Sequence, residues 1–301
     1  VKRILVVRLG ALGDFVMSFG PFAAIRAHHP EAEITLLTTA PYASLAKGCP
    51  WFNRVVIDTR PGWWQLRQLA RLTRALQGFD FVYDLQTSGR SSRYFLLAGR
   101  PAWSGIAPGC SHPQSGPARE HMHTIERQRD QLRIAGIHDF PRPDLRWLMT
   151  ADLPDLPERF SILVPGASPT RPAKRWPVSH FAQLAAILAR RGLPPVIVGG
   201  PAEASLAGLI VAGCPSAMDL TGATSFADLF TLAARASMAV GNDTGPMHIA
   251  TVTGCPALVL FSHESDPKMT APRTLDGGWP HILRETDLAD LTVERVAAAL
   301  P

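Results

Sequence analysis

The chain has 301 residues, 46% of them apolar and 18% charged, which excludes a disordered or fibrous protein and leaves enough hydrophobic matter for two cores. Its four cysteines, at 49, 110, 214 and 255, form no CxxC pair, and no apolar run reaches the length of a membrane span; a disulfide framework, a zinc knuckle and a transmembrane helix are therefore not expected, and a reducing cytoplasm is. The net charge of +5 hides an asymmetry, because residues 1–150 carry 19 Lys+Arg against 11 Asp+Glu (net +8) and residues 151–301 carry 11 against 14 (net −3).

In the first half, Ile4–Val7 reads as a strand following directly on Val1-Lys2-Arg3, with no signal-peptide core. Phe15–His28 is expected as a helix ending before Pro30, Ile34–Leu37 as strand and Tyr42–Lys47 as a short helix. Val55–Ile57 is strand, Trp63–Leu76 a helix stopped near Gly78, and Phe81–Leu85 strand. These strands are apolar throughout instead of alternating, as in a parallel sheet buried on both faces. Residues 99–119, dense in glycine and proline, are expected to be a long, weakly patterned loop, before a helix over about Glu120–Ala135. Pro141, Pro143, Pro154 and Pro157 bracket an acidic stretch that reads as a linker, giving domains 1–152 and 153–301.

Beyond it the alternation restarts: strand Ile162–Val164, helix Val178–Arg191, strand Val196–Val198 and helix Ala202–Val211. Then come helix Phe226–Ala236, strand Met238–Val240, helix Pro246–Thr253, strand Ala257–Phe261 and helix Thr292–Leu300, which Thr292 can cap. The fold class is α/β, two successive Rossmann-like parallel sheets. Ligands in such sheets sit at the carboxyl ends of strands, so the loops that leave the strands carry the functional argument.

Three loops stand out. After Ile4–Val7 comes Arg8-Leu-Gly-Ala-Leu-Gly-Asp14, where Gly10 and Gly13 allow a tight turn and Asp14 falls at the start of a helix. The helix dipole favours a carboxylate there, and an ionised Asp can take a proton from a hydroxyl nucleophile; equally, Asp14 can simply cap its helix. After Val164 the segment from Pro165 to Pro177 offers Ser168, Thr170, Arg171, Lys174 and Arg175 in a generally acidic half. These groups suit a phosphate, or else form a solvated basic loop; the Walker spacing is absent. Finally Gly241-Asn-Asp-Thr-Gly-Pro-Met-His248 passes from strand to helix. Asp243 or Thr244 can cap that helix and Pro246 can start it, and its N-terminal amides make a diphosphate site. His248 can bond a phosphate, brace Asp243, or pack in the core.

Together these segments resemble glycosyltransferase family 9, the lipopolysaccharide heptosyltransferase-like enzymes. The matching residues are Arg8…Leu12-Gly13-Asp14 followed by Pro21, Lys174-Arg-Trp-Pro177, Gly199-Gly-Pro-Ala-Glu203, Asp243-Thr-Gly-Pro-Met-His248 and Ala257-Leu-Val-Leu-Phe261. Over about 90–150 nothing specific matches. The resemblance implies a GT-B fold, two Rossmann-like domains facing across a cleft, with the acceptor on the N-terminal domain and a nucleotide-sugar donor on the C-terminal one. It implies an inverting enzyme that uses ADP-L-glycero-D-manno-heptose and needs neither cofactor nor catalytic metal. By position, Asp14 looks like the general base, Lys174 the diphosphate contact and Glu203 a ribose contact. Asp243, Thr244, Gly245, Pro246, Met247 and His248 look like the donor diphosphate and sugar site, which Thr170 also approaches.

The expected acceptor is an anionic glycolipid of the lipopolysaccharide core, met by Gly13, Arg60, Arg90 and Arg93 and by the arginines at 67, 71 and 74. Trp63 and Trp64 could stack on sugar, touch the inner membrane surface, or pack a helix. No nucleic-acid module accompanies the basic charge, so nucleic acid is not an expected partner. His112, His121 and His123 lack a ligand framework, so no metal is expected there. Ser262-His263 stands where relatives often carry glycine after the phenylalanine, near the expected base pocket. A different nucleotide-hexose donor and a non-catalytic sugar-nucleotide-binding homologue are the alternatives, the second disfavoured by Asp14 beside the full donor motif. The absence of GxGxxG argues against an oxidoreductase.

Overall fold

The computed structural model describes residues 1–301 and divides into two compact units, Val1–Pro143 and Asp144–Pro301. The first unit runs β1 (Arg3–Val7), α1 (Leu12–Met17), α2 (Phe19–His28), β2 (Glu33–Thr38), α3 (Ala43–Gly48), β3 (Arg54–Ile57), α4 (Leu66–Leu76) and β4 (Phe81–Asp84). It continues with α5 (Gly89–Leu97), β5 (Ala102–Gly105), β6 (His112–Pro113) and α6 (Thr124–Ile134). The second runs β7 (Ser161–Val164), α7 (Val178–Arg190), β8 (Pro195–Ile197), α8 (Ala204–Gly213), β9 (Met218–Asp219) and α9 (Phe226–Arg235). It ends with β10 (Met238–Asn242), α10 (Gly245–Val252), β11 (Ala257–Phe261), α11 (Pro267–Thr270), β12 (His281–Arg284) and α12 (Val293–Ala298).

Both sheets are six-stranded and parallel. Their orders, β3-β2-β1-β4-β5-β6 and β12-β11-β10-β7-β8-β9, are the same Rossmann order read within each unit. Ile4 to Val7 are all 0% exposed, as their unbroken apolar run requires of a strand covered by helices on both faces. The strand order reverses between β1 and β4 in one unit and between β7 and β10 in the other. The loops leaving these four strands therefore border the positions where such sheets bind ligands.

Four expectations need correction. The helix expected over 15–28 is two helices that meet at Ser18, whose hydroxyl donates to the Asp14 carbonyl at 2.8 Å. Pro21 has no N–H for the Met17 carbonyl, so one continuous helix would lose that bond; in the third position of α2 the missing donor is harmless. The expected loop 99–119 contains β5 and β6 and a 3-10 turn over Pro117–His121, with Trp103 fully buried. Its glycines 99, 109 and 116 take positive φ between these pieces. α4 starts at Leu66, so Trp63 and Trp64 precede it. The units divide upstream of the 152/153 boundary that the prolines suggest. Leu145 and Leu148 are each 3% exposed, the turn Arg146–Leu148 packs on α9, and the Ala151 N–H bonds Thr231 Oγ1 at 3.3 Å. These contacts make 144–151 part of the second unit. Helix α5, strands β9 and β12 and helix α11 are additions that the sequence pattern does not reveal.

Candidate functional site

At the switch point of the N-terminal unit, β1 delivers Arg8 and β4 delivers Asp84, whose backbone pairs with Val7 in register. Gly10 makes the turn after β1 possible. Its φ is +122° and a Cβ there would lie 2.5 Å from the Tyr42 ring. Gly13, expected to share that task, is instead a buried residue of α1. Asp14 occupies the third position of α1 and does not cap it; Ala11 is the N-cap. Its half-exposed carboxylate forms an ion pair with Arg8 (Nη2 to Oδ1, 3.2 Å), while Arg8 is 4% exposed. Arg8 Nη1 donates to the Leu85 carbonyl at 2.5 Å, and the Leu9 N–H donates to Gln86 Oε1 at 2.8 Å, so β1 and β4 fasten each other's loops.

Asp84 is fully buried. Desolvation pushes its carboxyl up to about 6 against the Ser91 side chain, bonds from the Thr87 and Gln86 amides and the field of Arg8. Arg60 reaches the same loop, donating from Nη2 to the Leu9 carbonyl at 3.2 Å, while its backbone N–H bonds buried Asp58 at 2.7 Å. Asp58 Oδ2 accepts from the Tyr94 hydroxyl at 2.5 Å, and Arg90 lies close enough to act on the same hydroxyl, so Arg60 and Arg90 flank one polar cluster. Arg93 lies on the exposed side of α5. Arg119, which the sequence pattern did not single out, donates to Thr87 Oγ1 at 2.8 Å just beyond β4.

In the C-terminal unit the loops after β7 and β10 meet. Asn242, 0% exposed, donates from Nδ2 to the Pro165 carbonyl at 2.8 Å and accepts from the Trp176 N–H at 3.0 Å. This fixes the path of the 165–177 loop and brings Lys174 Nζ to 2.5 Å from Asp243 Oδ2, with the side chains 12% and 6% exposed. Ser265 Oγ donates to the same carboxylate oxygen at 2.7 Å. Arg175 is spent on the loop itself, bonding the Ala167 carbonyl at 2.9 Å. Ser168 and Thr170 bond each other through their hydroxyls at 2.9 Å on the exposed part of the loop.

Thr244 takes the N-cap position of α10 without a side-chain cap bond, and Gly245 and Pro246 form its first two positions. The helix terminus is thus a set of amides and a positive dipole end beside the Lys174 ammonium. Met247 is fully buried, with its sulfur over Gly241, where a Cβ would come within 2.8 Å. His248 lies in the first turn and is buried. Glu203 accepts from the Gly200 N–H at 2.8 Å and lies against Gly166, where a Cβ would meet its Cγ at 2.6 Å. The carboxylate therefore stands over the carboxyl end of β7. Ser262 is buried, and His263 Nδ1 bonds the Thr286 carbonyl at 2.7 Å.

Of the three histidines considered as metal ligands, His112 bonds Ser111 at 2.9 Å and His123 caps α6, accepting from the Ile125 N–H at 3.2 Å. The sequence pattern missed Asp84, Asn242 and Ser265. Each is a common polar residue whose significance comes from which strand end it faces, so no local signal marks it.

Paired Rossmann-like units of this kind, each with a polar site at its switch point, define an α/β protein of the GT-B class, an architecture of glycosyltransferases. The model of glycosyltransferase family 9 (heptosyltransferase) matches residues 69–276, and the chain belongs to that family and is a glycosyltransferase. It is 23% identical to the lipopolysaccharide core heptosyltransferase OpsX of Haemophilus influenzae, over 90% of this chain and 82% of that one. It is 27% identical to lipopolysaccharide heptosyltransferase 2 of Salmonella typhimurium, over 90% and 85%. The solved heptosyltransferase WaaC of E. coli with ADP superimposes with a TM-score of 0.79 at 20% identity, covering 99% of this chain and 98% of that one.

Proposed function

We propose that this protein transfers a heptosyl or closely related glycosyl group from an ADP-sugar to an anionic lipopolysaccharide-core acceptor, inverting the anomeric centre without a catalytic metal. The reading rests above all on Lys174, fixed by Asn242 and Asp243 beside the uncapped N-terminus of α10. Glycosyl transfer leaves negative charge on the departing diphosphate, and an ammonium with preorganised amides neutralises such charge. The C-terminal unit, 153–301 in the sequence reading, holds the donor, with Thr170, Glu203 and the 243–248 turn around it. Glu203 over the end of β7 suits a ribose hydroxyl.

The N-terminal unit binds the acceptor. Asp14, exposed enough to meet a substrate, takes the hydroxyl proton as the acceptor oxygen attacks the anomeric carbon from the face opposite the diphosphate. Arg60, tied to Asp58, and Arg90, close to Tyr94, together with Arg93 and Gly13 at the start of α1, receive the acid groups of the acceptor. Peripheral contact with the inner face of the inner membrane belongs to the same proposal. Trp63, Trp64 and Leu66 are 80%, 68% and 71% exposed, and residues 59–79 carry four arginines and no acid.

Thermal-shift screening with ADP, UDP, GDP and NAD tests the donor. Selective stabilisation by ADP supports the heptosyl reading. UDP or GDP would transfer the reading to a nucleotide-hexose, the alternative that Ser262-His263 raises, and NAD alone would sink both.

A further inference from the structure

We infer that Arg8 is a positioning residue for Asp14, turning one carboxylate oxygen inward so that the other faces the acceptor. The inference rests on the reading of Asp14 as the general base. A guanidinium 4% exposed is expensive to bury unless fixed partners hold it. Burial indeed lowers the Arg8 pKa, with Asp14 the largest opposing influence and Arg127 adding to the loss. Buried Asp84 lies close enough to act on Arg8, and neutralising Asp84 would be the simplest account of the arginine.

The polar contacts argue otherwise. No hydrogen bond joins Arg8 to Asp84, whose carboxylate is met by the Gln86 and Thr87 amides and the Ser91 side chain. One terminal nitrogen of Arg8 donates instead to the Leu85 carbonyl, and the other forms the ion pair with Asp14 Oδ1 at 3.2 Å. Leu85 O anchors the guanidinium, Asp84 offsets its charge, and the remaining terminal nitrogen pairs with Asp14. With Oδ1 engaged, Oδ2 of Asp14 accepts the proton. The acceptor O–H bond breaks toward that oxygen while the new C–O bond forms and the donor's C–O(phosphate) bond breaks, its electron pair leaving with the diphosphate.

The test uses the full chain, ADP-L-glycero-D-manno-heptose as donor and heptose-free lipopolysaccharide as acceptor. Arg8→Gln should lower kcat about 100-fold, the scale of a small misplacement of a reacting group, with acceptor KM and the Kd for ADP within about twofold. Arg8→Gln leaves buried Asp84 with Arg119 as its remaining cation and should lower Tm, whereas Arg8→Gln/Asp84→Asn should restore Tm but not kcat. Arg8→Lys should recover part of kcat. Recovery of both Tm and kcat in the double variant would show that Arg8 serves only Asp84 and overturn the inference. Asp14→Asn, run alongside, separates the two ideas. Full activity there removes the base itself; an inactive Asp14→Asn beside a fully active double variant removes Arg8 alone.

Discussion

Lys174 and Asp243 meet at the ends of two adjacent strands, Nζ 2.5 Å from Oδ2, and both side chains are almost out of water. A diphosphate at the N-terminus of α10 would compete with Asp243 for the ammonium. Lys174→Ala should therefore weaken ADP binding at least tenfold by calorimetry, and an unchanged Kd would remove Lys174 from the donor site. The same substitution leaves Asp243 with Ser265 as its hydrogen-bond donor and should destabilise the protein by about 3 kcal/mol in urea unfolding.

Asp14→Asn keeps the volume of the side chain and removes its basicity. We expect kcat to fall about 10³-fold with ADP affinity intact, the usual scale for loss of a general base. Transfer at the wild-type rate would show that the proton goes elsewhere.

Half-buried His29 and fully buried Asp84 of the N-terminal unit give opposite pH dependences. His29 is pushed down to about 4 by burial, then by His28, Lys2 and Arg26, so its contribution to stability is present above the ordinary 6.5 and lost as pH falls toward 4. Asp84 is raised from 3.8 to about 6, so the folded state holds its proton longer and stability falls as pH rises through that window. Asp84→Asn should gain on the wild type by on the order of 2–3 kcal/mol between pH 4 and 7. His29→Gln should lose less on acidification from 6.5 to 4. Urea midpoints across this range check both, and curves parallel to wild type would contradict the assignments.

Vesicles test the exposed tryptophans. The protein should sediment with vesicles containing about 30% anionic phospholipid and not with neutral ones, and added salt should weaken the binding. Trp63→Ser/Trp64→Ser should abolish sedimentation while leaving Tm in place, since both side chains lie outside the core. Undiminished binding would move the contact elsewhere.

Charge reversal at Arg93 should raise the acceptor KM several-fold and leave the donor KM nearly unchanged, because Arg93 stands exposed on α5 in the N-terminal unit. Equal effects on both would separate Arg93 from the acceptor.

The clearest parts of the fold in the sequence are those whose signal is local. Ile4–Val7 and Ala257–Phe261 are unbroken apolar runs, Thr292 does cap α12 by accepting from the Arg295 N–H at 3.3 Å, and Pro177 precedes α7. The family motifs were legible for the same reason, since a strand, a tight turn and a helix N-terminus are contiguous in the chain. β5 and β6 were not, because four and two residues among glycines and prolines acquire strand geometry only from β4 beside them.

The sequence by itself thus determined two parallel α/β units, their charge contrast and the segments that carry the candidate chemistry, all properties of adjacent residues and composition. Only the tertiary structure decided what those side chains touch. It set Arg8 between Asp14 and Asp84, tied Arg60 to the β1 loop and turned Lys174 onto Asp243. These pairs are 6 to 76 residues apart in the chain. Strand order and burial bring them together, and neither is written in any single stretch of residues.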